Sequence, residues 1–373
     1  MSAVLWVVLG LVVLVAGAEL LVRGASRLAM AVGVSSLVIG LTVVAYGTSA
    51  PEFAVNVRAS LSGQPDIAVG NVVGSNIYNV LVVLGLSALA APLAVSRTVV
   101  RLDVPIMIGV SFLAWAIALD GSVGRLEGAL LLAGAVGYTV FEVVKGRREA
   151  RSSEAPEPGP GAVGSDAGPH AARPSSAKGV VLSAALAAAG LALLVLGARW
   201  LVDGASELAR HLGVSELIIA LTIVAAGTSL PETATSIVAA VKGERDIAIG
   251  NIVGSNIFNI LAVLGIAGVI SGDVRVASAA MHFDIPVMVA VAVACLPIFF
   301  TGARISRLEG GVFAACYVAY VAYLVLAAKS HAALPAFSAA MLWFALPATA
   351  LGVALSVFYA LRRGHREGKR STP

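Results

Sequence analysis

GTSAPE at residues 47–52, followed by DIAVGNVVGSNIYNVLVVLG at 66–85, returns as GTSLPE at 227–232 and DIAIGNIVGSNIFNILAVLG at 246–265. The offset is 180 residues throughout, and 15 of 20 positions in the longer block are identical. Each copy sets a carboxylate (Glu52, Glu232) and an amide (Asn79, Asn259) inside apolar sequence. Each also puts Pro and Gly where a membrane helix would otherwise continue. The two copies read as two halves of one ion-binding site.

The surrounding composition fits that reading. The chain is 59% hydrophobic and only 12% charged, against about 25% charged in soluble domains, and its mean hydropathy is +0.94. Several apolar runs reach the roughly 20 residues that span a bilayer, which predicts an all-α polytopic membrane protein. A transmembrane barrel would instead show short alternating segments. The net charge of +4 sits in short loops, without the basic face and interleaved aromatics of a nucleic-acid binder. Cys295 and Cys316 both fall in apolar runs and imply neither a disulfide framework nor metal-ligand spacing. The opening MSAVLW lacks a basic n-region, so the first helix is expected to be retained.

Hydropathy predicts about eleven spans, near 3–22, 34–60, 66–91, 99–119, 125–145, 179–200, 214–241, 246–271, 280–301, 307–328 and 337–361. Residues 146–178, rich in Pro, Gly, Ser and charge, read as a disordered cytoplasmic linker. The expected organisation is a first repeat (1–145), this linker, a second repeat (179–328), and an extra helix with a basic tail (329–373). The duplication covers nearly all of both repeats: Gly17 and Gly24 match Gly197 and Gly204, Thr42 matches Thr222, and Asp103-Val-Pro matches Asp284-Ile-Pro. Lys and Arg cluster in alternate loops, in 145–151 (KGRREAR) and in the tail. That bias predicts an N-terminus outside and a C-terminus inside. Five spans per repeat turn the second repeat upside down, giving inverted 5+5 repeats with a site at the bilayer midplane.

Within this frame the polar residues become informative. A charged side chain at a helix centre costs roughly 2.5–3.5 kcal/mol on insertion scales, and a bound cation removes the burial penalty of Glu52 and Glu232. Pro51 and Pro231 withhold an N–H and free carbonyls about one turn back, among residues 45–48 and 225–228. Thr48, Ser49, Thr228 and Ser229 add hydroxyls on the same turn, although such hydroxyls also bond back to their own helix. Ser75 and Asn79 share a helix face, as do Ser255 and Asn259. Asn71, Asn76, Asn251 and Asn256 are expected to brace the broken helices, and the Gly70/Gly74 and Gly250/Gly254 pairs to mark close helix packing. Asp103 and Asp284 are expected to cap helices, with Asp66 and Asp246 opening helices in the same sense. The inventory is all oxygen, which suits calcium or sodium and disfavours zinc, copper and iron. No nucleophile–base constellation or phosphate loop points to an enzyme.

On these motifs the chain resembles the calcium/cation antiporter superfamily, in its sodium/calcium exchanger branch, over about residues 3–145 and 179–328. The resemblance implies a ten-helix inverted core with ion sites between helices 2, 3, 7 and 8. It implies calcium at Glu52, Glu232 and the carbonyls of Thr48 and Thr228. It implies sodium at Ser49, Ser75, Asn79, Ser229, Ser255, Asn259 and the carbonyls of Ala45 and Ala225. It further implies that helices 1 and 6 slide past this core. Some family members carry Asp where this chain has Asn79 or Asn259, so here the site has two acidic groups. The expected function is secondary antiport of sodium for calcium in the cell (inner) membrane, by a monomer needing no cofactor and no obligatory protein partner. Calcium/proton antiport, and a cation channel or non-transporting sensor, are the alternatives that the motifs leave open.

Overall fold

A computed structural model describes residues 3–64, 66–153, 177–214, 216–300, 304–329, 331–341 and 343. In chain order the helices are α1 (Ala3–Val32), α2 (Ser36–Thr48), α3 (Ala50–Leu61), α4 (66–90), α5 (Val99–Ala118), α6 (Arg125–Ser153), α7 (Ala177–His211), α8 (216–227), α9 (Leu230–Val241), α10 (Arg245–Ser271), α11 (280–300), α12 (Arg307–Ala328) and α13 (Leu334–Ala340). Among the described residues seven helices are long and apolar enough to cross a membrane, and the bent pair α2/α3 makes an eighth such span. The chain is a polytopic helical membrane protein.

Three helix ends differ from the hydropathy estimate by more than a turn. The first span continues to Val32 rather than 22, α6 runs to Ser153, past the expected linker start at 146, and α7 runs to His211 rather than 200. The reason is local. Arg, Glu and Ala are good helix formers, so charged residues prolong a helix after its apolar stretch ends. Glu19 and Arg23, four apart, form an ion pair that supports the extension. Residues 154–176 of the linker, and nearly all of the eleventh span at 337–361, lie outside the described residues.

α1 and α7 pair along their length, and glycine sets their spacing. A Cβ added at Gly10 would lie 2.5 Å from the Leu201 nitrogen, one at Gly17 2.6 Å from that of Leu194, and one at Gly24 2.6 Å from that of Ala187. Numbers rise along α1 as they fall along α7, so these repeat-related helices are antiparallel. The reciprocal glycines, Gly190, Gly197 and Gly204, meet α1 in the same way. Small residues that let backbones approach drive helix association in lipid, where apolar side chains gain nothing by leaving the bilayer.

Two short strand ladders obey the same two-fold. β1 (Leu93–Ala94) pairs antiparallel with β4 (Arg304–Ile305), and β2 (Ser122–Gly124) with β3 (Asp273–Arg275). Each short ladder thus joins one repeat to the other. α4 and α10 are mostly buried inside the protein, whereas α1, α5, α6, α7 and α12 present most of their surface outward. Polar side chains on α4 and α10 would be costly in lipid, which accounts for their central place.

Three wide π-helical turns recur in each repeat, at 40–44, 79–84 and 99–103, and at 220–224, 259–264 and 280–284. Such turns are rare, concentrate at functional sites, and reset a helix's facing. Two of them begin at Asn79 and Asn259.

The repeats are not packed alike. Gly250 and Gly254 press α10 onto α2: a Cβ at Gly254 would lie 2.5 Å from the Leu41 carbonyl oxygen. Their counterparts Gly70 and Gly74 have nothing within 4 Å of the same position. The expectation of close packing therefore holds for one pair and fails for the other. Val44 and Ala45 are buried, whereas the matching Val224 and Ala225 are exposed. α8 meets α4 chiefly at its last turn, residues 225–227, while α2 is closed on α10 along its length. On the closed side α1 lies along α9. There Ser26 Oγ donates to Glu244 at 2.8 Å, and Lys242 pairs with Glu19.

Candidate functional site

The break in each Gly-Thr-Ser-Xaa-Pro-Glu motif is a new helix start rather than a kink. Ser49 (φ −81°, ψ 8°) and Ser229 (φ −91°, ψ 10°) leave helical geometry, and α3 and α9 begin one residue later. Pro51 and Pro231 occupy the first turn, where the missing N–H costs no hydrogen bond. Glu52 and Glu232 fall in that same turn, where unpaired backbone N–H groups favour negative charge. α2 and α3 meet at 45°, which turns Glu52 inward.

Glu52 and Glu232 are both fully buried, and each is held by the opposite repeat. Ser229 Oγ donates to Glu52 Oε1 at 2.8 Å, and Ser49 Oγ donates to Glu232 Oε1 at 2.8 Å. Ser75 Oγ reaches Glu52 Oε1 at 3.4 Å and lies 3.3 Å from Ser229 Oγ. The second oxygen of each carboxylate, Oε2, is buried with no hydrogen-bond partner. So are Oδ1 of Asn79, Oδ1 of Asn259 and Oγ1 of Thr228. Buried polar atoms are almost always paired. Here matched carboxylate and amide oxygens are left bare at repeat-related positions, an arrangement that fits an oxygen-ligated cation.

The other predicted ligands divide. Thr48 Oγ1 bonds to Asn251 Oδ1 at 2.9 Å and to the Ala45 carbonyl at 3.3 Å. Ser255 Oγ donates to the same carbonyl at 3.4 Å. The Ala45 carbonyl also accepts the Ser49 N–H at 3.0 Å, so it is not freed as the proline argument expects. In the second repeat the Ser229 N–H turns to the Ala226 carbonyl at 3.2 Å, a tighter turn that bypasses Ala225.

Asn71 and Asn251 brace the breaks. Their Nδ2 groups donate to the carbonyls of Glu52 and Glu232, each at 3.4 Å. They also donate to Asn56 Oδ1 at 2.7 Å and Ser236 Oγ at 2.9 Å. Asn56 and Ser236 escape the motif reading, although each lies four residues after its Glu, on the same helix face. Asn76 and Asn256 cross between repeats: Asn259 Nδ2 donates to Asn76 Oδ1 at 3.1 Å, and Asn79 Nδ2 to Asn256 Oδ1 at 3.4 Å.

The capping role expected for the two aspartates is not what the structure has. Asp103 makes no cap hydrogen bond, because helical structure continues back to Val99 through the wide turn. It pairs instead with Lys145 at 3.4 Å, beside Glu142. Asp284 accepts from Tyr320 Oη at 2.8 Å. Cys295 and Cys316 are free thiols.

Antiparallel repeats, broken helices and a shared buried cluster of bare oxygens define a secondary cation transporter of the inverted-repeat class. The model of the "Sodium/calcium exchanger protein" family matches residues 2–144 and 182–326, and the chain belongs to that family. It is 40% identical over 320 residues to the "Putative antiporter CaxA" of Alkalimonas amylolytica, covering 85% of this chain and 97% of that one. It is 39% identical over 292 residues to "Inner membrane protein YrbG" of Escherichia coli, covering 78% and 86%. Among solved structures it matches the sodium-calcium exchanger NCX_Mj with a TM-score of 0.72 and 31% identity, covering 86% of this chain and 98% of that one. The protein is thus a cation antiporter of the membrane.

Proposed function

We propose that this protein exchanges sodium for calcium by alternating access. One observation carries the reading: two carboxylate and two amide oxygens, buried and unpartnered, at repeat-related positions. Glu52 and Glu232 supply two negative charges, which one calcium ion neutralises or which sodium ions share among the same oxygens. Mutually exclusive occupancy makes exchange obligatory. The same site supports the ligand set of Glu52, Glu232, Thr48, Thr228, Ser49, Ser229, Ser75, Ser255, Asn79 and Asn259, with the Ala45 and Ala225 carbonyls at its margin. On this reading the ions are cargo, the chain needs no resident cofactor and no protein partner, and a monomer suffices. The basic bias of alternate loops supports an N-terminus outside, and the name of the E. coli relative supports an inner-membrane location.

The test loads proteoliposomes with sodium, dilutes them into sodium-free buffer, and follows calcium entry. Sodium-dependent uptake is expected. Uptake driven only by a proton gradient would replace sodium with protons, and currents that do not saturate with calcium would replace exchange with a channel.

The unequal packing of the repeats supports alternation, because exchanging their conformations opens the closed side and closes the open one. The other state then brings Gly70 and Gly74 against α8, as Gly250 and Gly254 now meet α2. Gly74→Ala is therefore expected to fold and bind calcium like the wild type, since its Cβ meets nothing here, yet to lose transport. Thermal melting with and without calcium, alongside uptake, checks this. Wild-type uptake by the variant would remove the assigned closing surface.

A further inference from the structure

Amide side chains have a donor end and an acceptor end, and something must decide which end faces the cation. Two chains of hydrogen bonds do so. In the first, Asn79 Nδ2 donates to Asn256 Oδ1 at 3.4 Å, and Asn256 Nδ2 donates to Met107 Sδ at 3.4 Å. In the second, Asn259 Nδ2 donates to Asn76 Oδ1 at 3.1 Å, and Asn76 Nδ2 donates to Met288 Sδ at 3.7 Å. Each chain crosses from one repeat to the other and back. Met107 lies on α5 and Met288 on α11, in Val-Pro-Ile-Met and Ile-Pro-Val-Met, and both are buried.

We infer that Met107 and Met288 are positioning residues for the cation site: each thioether, an acceptor only, sets the direction of an amide chain whose far end presents Oδ1 of Asn79 or Asn259 to the ion. A thioether sulfur accepts and cannot donate. Its neighbour Asn256 must therefore turn NH2 towards Met107 and Oδ1 towards Asn79. Asn79 must then spend its NH2 on Asn256, which leaves its own oxygen bare, as observed. Without the sulfur, Asn256 is free to flip, and Asn79 follows by turning its NH2 to the site. An ammonia-like edge there repels a cation.

The two chains differ in one respect. Asn76 Nδ2 also donates to the Asn256 carbonyl at 3.2 Å, so its direction is fixed twice. Asn256 Nδ2 has the sulfur of Met107 as its hydrogen-bond acceptor. Loss of Met107 is therefore expected to weaken cation binding more than loss of Met288.

This inference rests on the calcium reading of the site, and its test separates the two. Met107→Leu and Met288→Leu conserve volume, a change that cores tolerate well. The full-length variants are melted in detergent over a calcium titration. The calcium concentration giving half-maximal protection is expected to rise about fivefold for Met107→Leu (about 1 kcal/mol at 1.4 kcal/mol per tenfold). It is expected to rise less for Met288→Leu, with calcium-free melting unchanged in both. In an Asn79→Asp background, where both ends of the side chain are oxygen, Met107→Leu is expected to leave the midpoint where Asn79→Asp alone sets it. A purely packing methionine predicts Leu to be neutral in both backgrounds or to shift the midpoint equally in both, and either result overturns the inference. Equal midpoints in all variants overturn it too. A wild type protected by neither calcium nor sodium overturns the calcium reading itself.

Discussion

Glu52→Gln and Glu232→Gln are each expected to lower sodium-driven calcium uptake by more than about 100-fold while leaving the protein folded. The geometry sets both halves of that result. Each carboxylate holds one oxygen against a serine of the opposite repeat and keeps the other bare. An amide in its place loses the charge, and where its oxygen keeps the serine bond its NH2 group faces the ion. Removing one member of a buried charge pair costs about 2–5 kcal/mol, chiefly by stranding the other charge, and 2.8 kcal/mol is about 100-fold in binding. Without calcium the sign reverses. The wild type then buries two uncompensated carboxylates, and the variants bury one. Their thermal midpoints in chelator are therefore expected to equal or exceed that of the wild type. Normal uptake by either variant would dismiss that residue from the site, and a lower midpoint in chelator would make the loss one of folding.

The second large effect is structural. Gly197→Ala is expected to lower the thermal midpoint by about 4 °C, whereas Gly137→Ala leaves it unchanged or raises it. A Cβ at Gly197 would lie 2.4 Å from the Leu14 backbone nitrogen, and no side-chain rotation relieves a clash with backbone. α1 and α7 must separate, and the other glycines of the seam then lose contact with them. Overpacking costs about 1–3 kcal/mol in ordinary cores. A backbone clash belongs at the top of that range, and at about 2.1 cal/mol/K of unfolding entropy per residue each kcal/mol is worth about 1.3 °C in a chain of 373 residues. Gly137 has nothing within 4 Å of its Cβ position, so alanine there meets open space. Melting of the two variants in one detergent, read by the fraction remaining monodisperse after heating, checks both. Equal midpoints would show that the seam tolerates separation.

Much of the site was legible because duplication repeats its chemistry. A lone Pro-Glu in an apolar run has many explanations, but Gly-Thr-Ser-Xaa-Pro-Glu twice, 180 residues apart, points to broken helices and a shared cation. Asn71 and Asn251 brace those breaks as their helical placement suggested. Asn56, Ser236, Met107 and Met288 were missed for a common reason. Their partners lie on other helices, and spacing along one helix says nothing about which neighbour completes a hydrogen bond. Asp103 was misread on the same account. Asp-Val-Pro has the form of a helix start, but a lysine 42 residues later takes the carboxylate, and the helix does not start there.

The sequence by itself determined the membrane class, the duplication and the polar residues of the candidate site, because hydropathy, internal repetition and residue chemistry are properties of the chain alone. It could not determine which half is open. GNVVG at 70–74 and GNIVG at 250–254 are almost the same peptide, yet Gly250 and Gly254 touch backbone while Gly70 and Gly74 touch nothing. Two nearly identical sequences favour both packings equally, and the antiparallel halves share one interior that cannot be closed on both sides and still admit an ion. Only the tertiary structure breaks that symmetry. In doing so it separates the glycines that pack against backbone from those that meet nothing.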